Sequence, residues 1–276
     1  MAYPDLPKSY KSVFPFRLAT TSFIYPDDYL VNVQKLGFFV DEIELLFFES
    51  APADALPGGE LIDQLARLSE EFALSYNIHL PIDIDPGGED ETVRVHAVKT
   101  ISRFIGACAA LQPTSFTLHV PLEEHRFDRA ARGRWETAVK SSFSELLSGG
   151  LEGKRLAIET LAYPFSYVEP LIEEFDLSVC IDFGHLALSG QDLGAVFGRN
   201  LERTAIVHLH GFDRARDHLS LACAHPKLVE KMVRWIEPFS RCVSLEVFSY
   251  AALKSSLEIL DKTWRGLTRR PRVVHV

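Results

Sequence analysis

The sequence is poor in cysteine, and the few that it has are far apart. Cys108, Cys180, Cys223 and Cys242 are the four cysteines among 276 residues, and no CxxC pair occurs. That spacing argues against a disulfide framework and against a zinc finger. It is typical of buried, reduced thiols, and we therefore predict a cytoplasmic protein.

Positive charge is also scarce. The chain has 29 Lys and Arg against 38 Asp and Glu, which gives a net charge of −9. A protein with general affinity for the nucleic-acid backbone needs a concentrated set of basic side chains. We therefore predict no nucleic-acid partner.

Long apolar runs are missing as well. No stretch approaches the ~18 apolar residues of a membrane span. The first twelve residues are polar and contain proline, and they lack the apolar segment of a signal peptide. We therefore predict no membrane span. An apolar content of 47% with 24% charged residues is typical of an ordinary globular protein with a sizeable core.

What the sequence does contain is a series of short apolar runs, most of which close on a histidine or a carboxylate. Such runs with β-branched residues are typical of strands buried on both faces in a parallel sheet. Segments with helical spacing of apolar residues separate them. The runs predict strands at 16–23, 41–49, 74–81, 115–121, 155–160, 178–185, 205–211 and 241–249.

Eight strand-then-helix units with short connections favour a closed parallel barrel over an open sheet. A chain of this length has the usual size of one such barrel. We therefore predict an α/β protein with a single-domain (β/α)8 TIM barrel at 16–262. A leader at 1–15 and a tail at 263–276 flank the predicted barrel.

Carboxylates end three of the runs. In a parallel barrel the carboxyl ends of all strands meet on one face, so Glu159, Asp182 and Glu246 are expected to converge. An unpaired carboxylate at such a position costs several kcal/mol unless a partner or a cation compensates it. A salt bridge explains any one of them equally well. Three of them on one rim with several histidines favour a metal centre.

Histidines occur at matching positions on neighbouring runs. His79 and His119 are each followed by an apolar residue and proline, which indicates two ligands of one ion, or a ligand and the residue that orients it. Asp182 and His185 lie three residues apart, and Gly184 between them is expected to give the turn its conformational freedom.

The seventh run carries two histidines with a spacing of two. His208 and His210 are therefore expected to point into the barrel together. His218 follows Asp217 in the next loop, where the position is unconstrained and the signal is weaker. We predict His218 as a ligand and leave the role of Asp217 open.

These residues together resemble the xylose-isomerase-like TIM barrels, in particular the branch of endonuclease IV-type abasic-site enzymes. That family gathers two or three divalent ions. It has an aspartate two positions before its loop histidine, whereas Asp217 immediately precedes His218 here, which puts the loop ligand and the third ion in doubt. Zn, Mn or Fe suit such donors. The resemblance implies metal ligands at His79, His119, Glu159, Asp182, His185, His208, His218 and Glu246.

A narrower resemblance rests on three stretches: FRLATTSFIYPDDY, VDEIELLFFES and RDHLSL. They are similar to the CbiR-type cobamide-remodelling phosphodiesterases. The resemblance implies cleavage of the nucleotide loop of adenosylcobalamin and related cobamides, which gives α-ribazole and adenosylcobinamide phosphate. The implied partner is a corrinoid small molecule.

The mechanistic hypothesis is a metal-assisted attack of water on phosphorus, in line with the leaving group. Glu159 and Glu246 act as catalytic residues that hold the ions. His210 protonates the leaving ribose oxygen, because imidazole titrates near neutrality.

Aromatic residues in or just after the strand ends indicate a large substrate. Each one packs the barrel more readily than it binds a ligand, but several could stack a benzimidazole base or cover a corrin face. Among them we predict Tyr25, Phe165 and Phe212 as substrate-binding residues. The set comprises Phe23, Tyr25, Phe47, Phe48, Tyr163, Phe165, Tyr167, Phe212, Phe248 and Tyr250.

Three other functions are compatible with these residues. A sugar or sugar-phosphate isomerase or epimerase of the same superfamily needs a smaller ligand set, which the resemblance places at Glu159, Asp182, His208 and Glu246. An abasic-site endonuclease is disfavoured by the acidic balance. A metal-dependent binding protein without turnover has the same ligands. The extra histidines favour hydrolysis of a phosphoester over isomerisation.

Overall fold

The computed structural model describes residues 3–51, 55–123, 128–214 and 216–268. Within them eight parallel strands form one closed barrel in chain order, in which β1 pairs with both β2 and β8. This confirms the predicted (β/α)8 barrel. The strands are β1 Arg17–Thr21, β2 Glu42–Leu46, β3 Ser75–His79, β4 Phe116–Leu118, β5 Leu156–Glu159, β6 Ser178–Asp182, β7 Thr204–His208 and β8 Cys242–Leu245.

Helices follow the strands around the barrel. Asp28, Asp90, Asp128 and Asp192 each cap a helix by accepting a backbone N–H with the side chain. Within the described residues the helices are α1 Tyr29–Leu36, α2 Gly59–Phe72, α3 Glu91–Cys108, α4 Arg129–Ser148, α5 Glu169–Glu174, α6 Phe183–Leu188, α7 Leu193–Asn200, α8 Pro226–Trp235 and α9 Tyr250–Thr268.

Two helices differ from the prediction. The sequence predicts a turn where α6 lies. A helix of six residues is too short to show a helical period in the sequence. The side chain of Asp182 caps α6 by accepting a hydrogen bond from the backbone N–H of His185. Helix α9 continues past the predicted end of the barrel at residue 262 to Thr268, so the first residues of the predicted tail are helical. Residues 269–276 lie outside the described part of the chain.

The inside of the barrel is layered. Ala157, Cys180 and Ile206 belong to a small apolar cluster that is separate from the main core. Each lies two residues before a site residue on its strand, so it faces the same side of the sheet. This apolar layer separates the polar residues at the carboxyl end of the barrel from those at the amino end.

The predicted leader packs against the barrel. Leu6, Tyr10 and Phe14 are buried in the main core, and Lys8 forms an ion pair with Asp261 at 2.5 Å. Within the described residues, no helix combines the length and the apolarity needed to cross a bilayer.

Candidate metal centre

Four residues from four neighbouring strands meet at the carboxyl end of the barrel. Glu159, Asp182 and His208 are the last residues of β5, β6 and β7, and Glu246 follows β8 directly. All four are at most 4% exposed. One ligand atom from each lies within 4.8 Å of the others. We call these residues the central cluster.

The polar atoms of the central cluster are incompletely hydrogen-bonded. The Nδ1 atom of His208 lies 3.0 Å from Glu246 Oε2, 3.7 Å from Glu159 Oε1 and 3.7 Å from Asp182 Oδ2. Neither His208 Nδ1 nor Glu246 Oε2 makes a hydrogen bond with another described residue although both are buried. An unsatisfied buried polar atom costs about 1–3 kcal/mol.

The donors therefore fit a divalent cation. Among the described residues, the ion pairs of the three central carboxylates all run to histidines and never to lysine or arginine. Carboxylate oxygens and an imidazole nitrogen are ligands that suit Zn, Mn or Fe.

A second cluster adds two histidines to Glu159. His79 ends β3 and His119 follows β4, and their Nε2 atoms lie 3.2 and 3.0 Å from Glu159 Oε2. His79 Nδ1 lies 2.9 Å from the carbonyl oxygen of Leu80 and donates to it in the tautomer that leaves Nε2 free. The structure thus brings the two matched histidines together, as their positions on neighbouring strands predict. We call these three residues the β3–β4 cluster.

A third cluster consists of three histidines. Ligand atoms of His185, His210 and His218 lie within 4.8 Å of one another. The ring centroids of His210 and His218 are 4.4 Å apart, and those of His185 and His218 are 5.6 Å apart. Asp217 Oδ2 lies 3.6 Å from His185 Nε2, beside this three-histidine cluster.

The two ends of the loop that carries His218 are joined. An isolated antiparallel bridge joins Gly211 to Leu219 and closes the loop. A Cβ atom on Gly211 would lie 1.8 Å from the carbonyl oxygen of Ser220, so the bridge requires glycine. His218 itself has a φ of 50°, in the left-handed region that costs a non-glycine residue free energy. Strain of this kind persists where the surroundings hold the residue in place.

Gly184 has a different role from the predicted one. Its φ does not lie in the left-handed region, so conformational freedom is not what the position requires. A Cβ atom on Gly184 would lie 2.0 Å from Cε1 of His210. Glycine is needed here because the imidazole of His210 occupies the space of a side chain.

His210 does not fit the predicted role of proton donor to a leaving group. Its side chain is fully buried, and Nε2 lies 3.0 and 3.1 Å from the two carboxylate oxygens of Asp182. Nδ1 lies 3.0 Å from the carbonyl oxygen of Gly211 and 3.0 Å from the backbone N–H of His218. Both ring nitrogens therefore face protein groups and not a leaving group. The ring still lies among the ligand atoms of the three-histidine cluster.

Glu44 is a site residue that the sequence pattern did not predict. This β2 residue is fully buried and accepts hydrogen bonds from His208 Nε2 at 2.9 Å and from the hydroxyl of Ser244 at 2.6 Å. A carboxylate that holds one imidazole nitrogen orients the other toward a metal. The sequence feature that could have identified Glu44 is its spacing of two from Glu42 in a buried strand, which places both side chains inside the barrel.

Cys180 also lies closer to the site than expected. No cysteine occurs in the predicted ligand motifs, but this thiol lies within reach of Glu159 and His208. Burial raises the pKa of Cys180 well above its ordinary value. In the absence of a bound ion the thiol is therefore neutral at neutral pH.

Opposite charges support one another across the three clusters. Burial opposes ionisation of Glu159, but His119 and His208 lower its pKa well below the ordinary value. Burial likewise opposes protonation of His185, yet Asp182 and Glu159 raise its pKa to about 11. A proton on His185 thus compensates the neighbouring carboxylates, and a metal ion would take the place of such a proton.

Two of the three predicted substrate-binding aromatic residues are buried in the core. Tyr25 is 2% exposed and donates its hydroxyl hydrogen to the carbonyl oxygen of Pro4 at 2.6 Å. Phe165 is 1% exposed and belongs to the main core, against which the half-buried Phe212 packs. Tyr25 and Phe165 lie in the core, because burying a large ring removes much apolar surface from water.

Comparisons with known proteins give a family and a fold. The family model described as xylose isomerase-like TIM barrel matches residues 30–262. A comparison with curated proteins finds no match.

Several solved structures share the fold. A D-tagatose 3-epimerase-like protein is 16% identical with a TM-score of 0.74, over 92% of this chain and 98% of that one. The apo form of 3-keto-D-glucoside 4-epimerase from E. coli is 14% identical with a TM-score of 0.69, over 90% and 99%. Endonuclease IV from Thermus thermophilus is 17% identical with a TM-score of 0.66, over 89% and 99%.

Proposed function

The chain belongs to the xylose isomerase-like TIM barrel family, and from this premise we propose that it is a metal-dependent phosphodiesterase that cleaves the nucleotide loop of cobamides. The products are α-ribazole and, from adenosylcobalamin, adenosylcobinamide phosphate. One observation carries the proposal: two further histidine clusters flank the central cluster.

Glu159 links the clusters. Its Oε2 faces His79 and His119 at 3.2 and 3.0 Å, and its Oε1 faces His185 at 3.1 Å and His208 at 3.7 Å. A carboxylate with both oxygens engaged in this way suits two ions held close together. Pairs of ions about 3.5–4 Å apart are a recurrent device for displacement at phosphorus.

The partly exposed histidines lie on the side of the metal centre from which a phosphoryl group would approach. Side chains of His119, His185 and His218 are 20%, 15% and 23% exposed, whereas those of His208 and His210 are fully buried. Divalent ions, when bound, polarise a phosphoryl oxygen and make water a better nucleophile at neutral pH. The residues themselves hold and orient the reacting groups, with Glu44 fixing the ring of His208.

The net charge of −9 supports a small-molecule substrate rather than nucleic acid. The resemblance of FRLATTSFIYPDDY, VDEIELLFFES and RDHLSL to the cobamide phosphodiesterases supports a corrinoid. We propose that the protein acts on this corrinoid substrate in the cytoplasm.

A sugar epimerase is the second candidate. The central cluster alone is the ligand set that this reaction needs, and two of the three structures compared above carry epimerase in their names. In this candidate Glu159 and Glu246 would move a proton on opposite faces of a sugar carbon. It predicts that His79 and His119 can be replaced with modest loss of activity.

The test is chromatography of adenosylcobalamin after incubation with metal-loaded protein, with D-tagatose as the parallel substrate. We expect release of α-ribazole and adenosylcobinamide phosphate that stops when a chelator is added. The variants His79→Ala and His119→Ala should lose this activity almost completely. Epimerisation of the sugar without cobamide cleavage would replace the first candidate with the second.

A further inference from the structure

Three phenylalanines lie together where β8, β1 and β2 end. Phe23 follows β1, Phe48 follows β2 and Phe248 follows β8, and these strands are neighbours around the barrel. The ring centroids of Phe23 and Phe48 are 5.0 Å apart, and those of Phe48 and Phe248 are 5.8 Å apart. We call these residues the phenylalanine shelf. Strands β1 and β2 carry no member of the three ligand clusters.

The shelf is supported and still partly exposed. Tyr29 packs edge-on against Phe23 at 5.6 Å, and its hydroxyl donates to the carbonyl oxygen of Leu46 at 2.7 Å. Phe248 is 38% exposed, while Phe23 and Phe48 are half-buried. Contiguous aromatic surface that is fixed in place but not covered is typical of a ligand-binding wall.

The shelf adjoins the metal centre. The ring centroid of Phe248 lies 5.2 Å from that of His218, a member of the three-histidine cluster. Glu246, a member of the central cluster, precedes Phe248 by two residues. A phosphoryl group at the clusters would therefore bring one of its ester substituents to the shelf.

We infer that the phenylalanine shelf binds a fused heteroaromatic base, which is joined through a sugar to the phosphoryl group; this inference rests on the proposed function. Aromatic rings prefer offset or edge-to-face contacts with centroids about 4.5–7 Å apart. A fused two-ring base is large enough to contact two neighbouring rings of the shelf. A free sugar has no conjugated face with which to do so.

The experiment compares two phosphates that differ only in the base. Binding of α-ribazole 5′-phosphate and of ribose 5-phosphate to the metal-loaded protein is measured by calorimetry. We expect the base to improve the wild-type Kd about tenfold or more, as stacking on an aromatic side chain does for nucleobases. Phe48→Ala and Phe248→Ala should remove most of this advantage, and Phe248→Tyr should keep it.

Phe38→Ala is the matched control. Phe38 is 64% exposed and lies between α1 and β2, at the end of the barrel opposite to the strand carboxyl ends. This variant loses a more exposed phenylalanine far from the clusters, so it should bind both phosphates as the wild type does. Phe248→Leu separates stacking from packing, because it keeps an apolar side chain and should still lose the advantage of the base.

The inference is overturned if Phe48→Ala and Phe248→Ala both keep the wild-type advantage, or if Phe248→Leu does. It is also overturned if both alanine variants instead weaken binding of cobinamide phosphate, which has the macrocycle without the base. Turnover of adenosylcobalamin by the wild type is followed in parallel. Base-dependent binding without turnover would remove the proposed function and leave the shelf in place, whereas turnover with unchanged binding in the variants would remove the shelf alone.

Discussion

Buried carboxylates lie at both ends of the barrel interior, and the two ends treat them differently. At the amino end Glu42 accepts hydrogen bonds from Arg17 at 2.7 Å, Ser75 at 2.6 Å, Asn77 at 2.8 Å and Thr114 at 2.7 Å. The charge of this carboxylate is compensated by an arginine within the chain.

At the carboxyl end the partners of the carboxylates are histidines. Glu159, Asp182 and Glu246 pair with histidines alone within the described residues, and Glu246 Oε2 and His208 Nδ1 lack hydrogen bonds. A buried carboxylate that accepts hydrogen bonds from side chains and pairs with an arginine contributes to stability. A group of buried carboxylates without a lysine or arginine partner is suited to binding a metal ion. One barrel thus contains a structural carboxylate at its amino end and a candidate metal-binding cluster at its carboxyl end.

The pair Glu159→Gln and Glu42→Gln tests this difference most strongly. Glu159→Gln removes the carboxylate that links two clusters, so activity should fall by ~1,000-fold or more, beyond the ~100-fold upper end for losing a residue that only orients a ligand. Metal content, measured by mass spectrometry, should fall with it. Glu42→Gln should keep wild-type metal content. Equal metal loss in the two variants would contradict the distinction.

Glu42→Ala should instead lower stability. It leaves Arg17 and three polar side chains without their acceptor, so the free energy of unfolding should fall by about 3 kcal/mol. Denaturant unfolding of the metal-free proteins measures this effect. A loss below ~0.5 kcal/mol, the size of an ordinary surface substitution, would show that the amino-end carboxylate is not structural.

The same residue gives a pH dependence. Burial opposes ionisation of Glu42, but Arg17 and hydrogen bonds from Ser75, Thr114 and Asn77 lower its pKa in the folded protein. The pKa of the unfolded state is the higher one, so the contribution to stability is present above pH ~4.5 and is lost as pH falls through the folded pKa. Unfolding of wild type and Glu42→Gln from pH 7 downward should therefore converge in acid; parallel curves would be the contrary result.

Glu44→Gln should weaken metal binding by ~10- to 100-fold. Glutamine keeps an oxygen that can accept from His208 Nε2, but it removes the charge that strengthens imidazole as a ligand. Competition with a chelating dye gives the metal Kd. The variant Ser244→Ala, which removes only the hydroxyl that donates to Glu44, should have a smaller effect. Unchanged affinity in Glu44→Gln would show that the carboxylate does not act through His208.

Gly184→Ala is expected to have the smallest effect. The added methyl group would displace the ring of His210 or shift α6, at a cost of about 1–3 kcal/mol for overpacking. Thermal unfolding measures the loss, and Gly198→Ala is the control, because a Cβ there meets nothing within 4 Å. A Gly184→Ala protein as stable as the control would mean that His210 has room to move.

The sequence could predict which residues reach the rim, because a spacing of two fixes the face of a strand and parallel strands end together. It could not predict contacts across the barrel. Glu44 and His208 are 164 residues apart in the chain, and only the closed geometry brings them together. The sequence indicated that glycine is needed at position 184, but not that the ring of His210, which follows β7, is the reason.

The aromatic residues show the same limit. Because they follow strand ends, Tyr25 and Phe165 were predicted to bind the substrate. Phe23, Phe48 and Phe248 were included only in the wider set of aromatic residues near strand ends. Which of them the core would cover depends on how the loops pack, and strand periodicity carries no information about that.

The most direct measurement is the number of divalent ions per chain, determined by mass spectrometry on wild type, His79→Ala with His119→Ala, and His208→Ala. We predict at least two ions in the wild type and a lower number in the double variant, which keeps the central cluster. A single ion in the wild type that the double variant retains and His208→Ala loses would contradict a multinuclear centre and favour the epimerase.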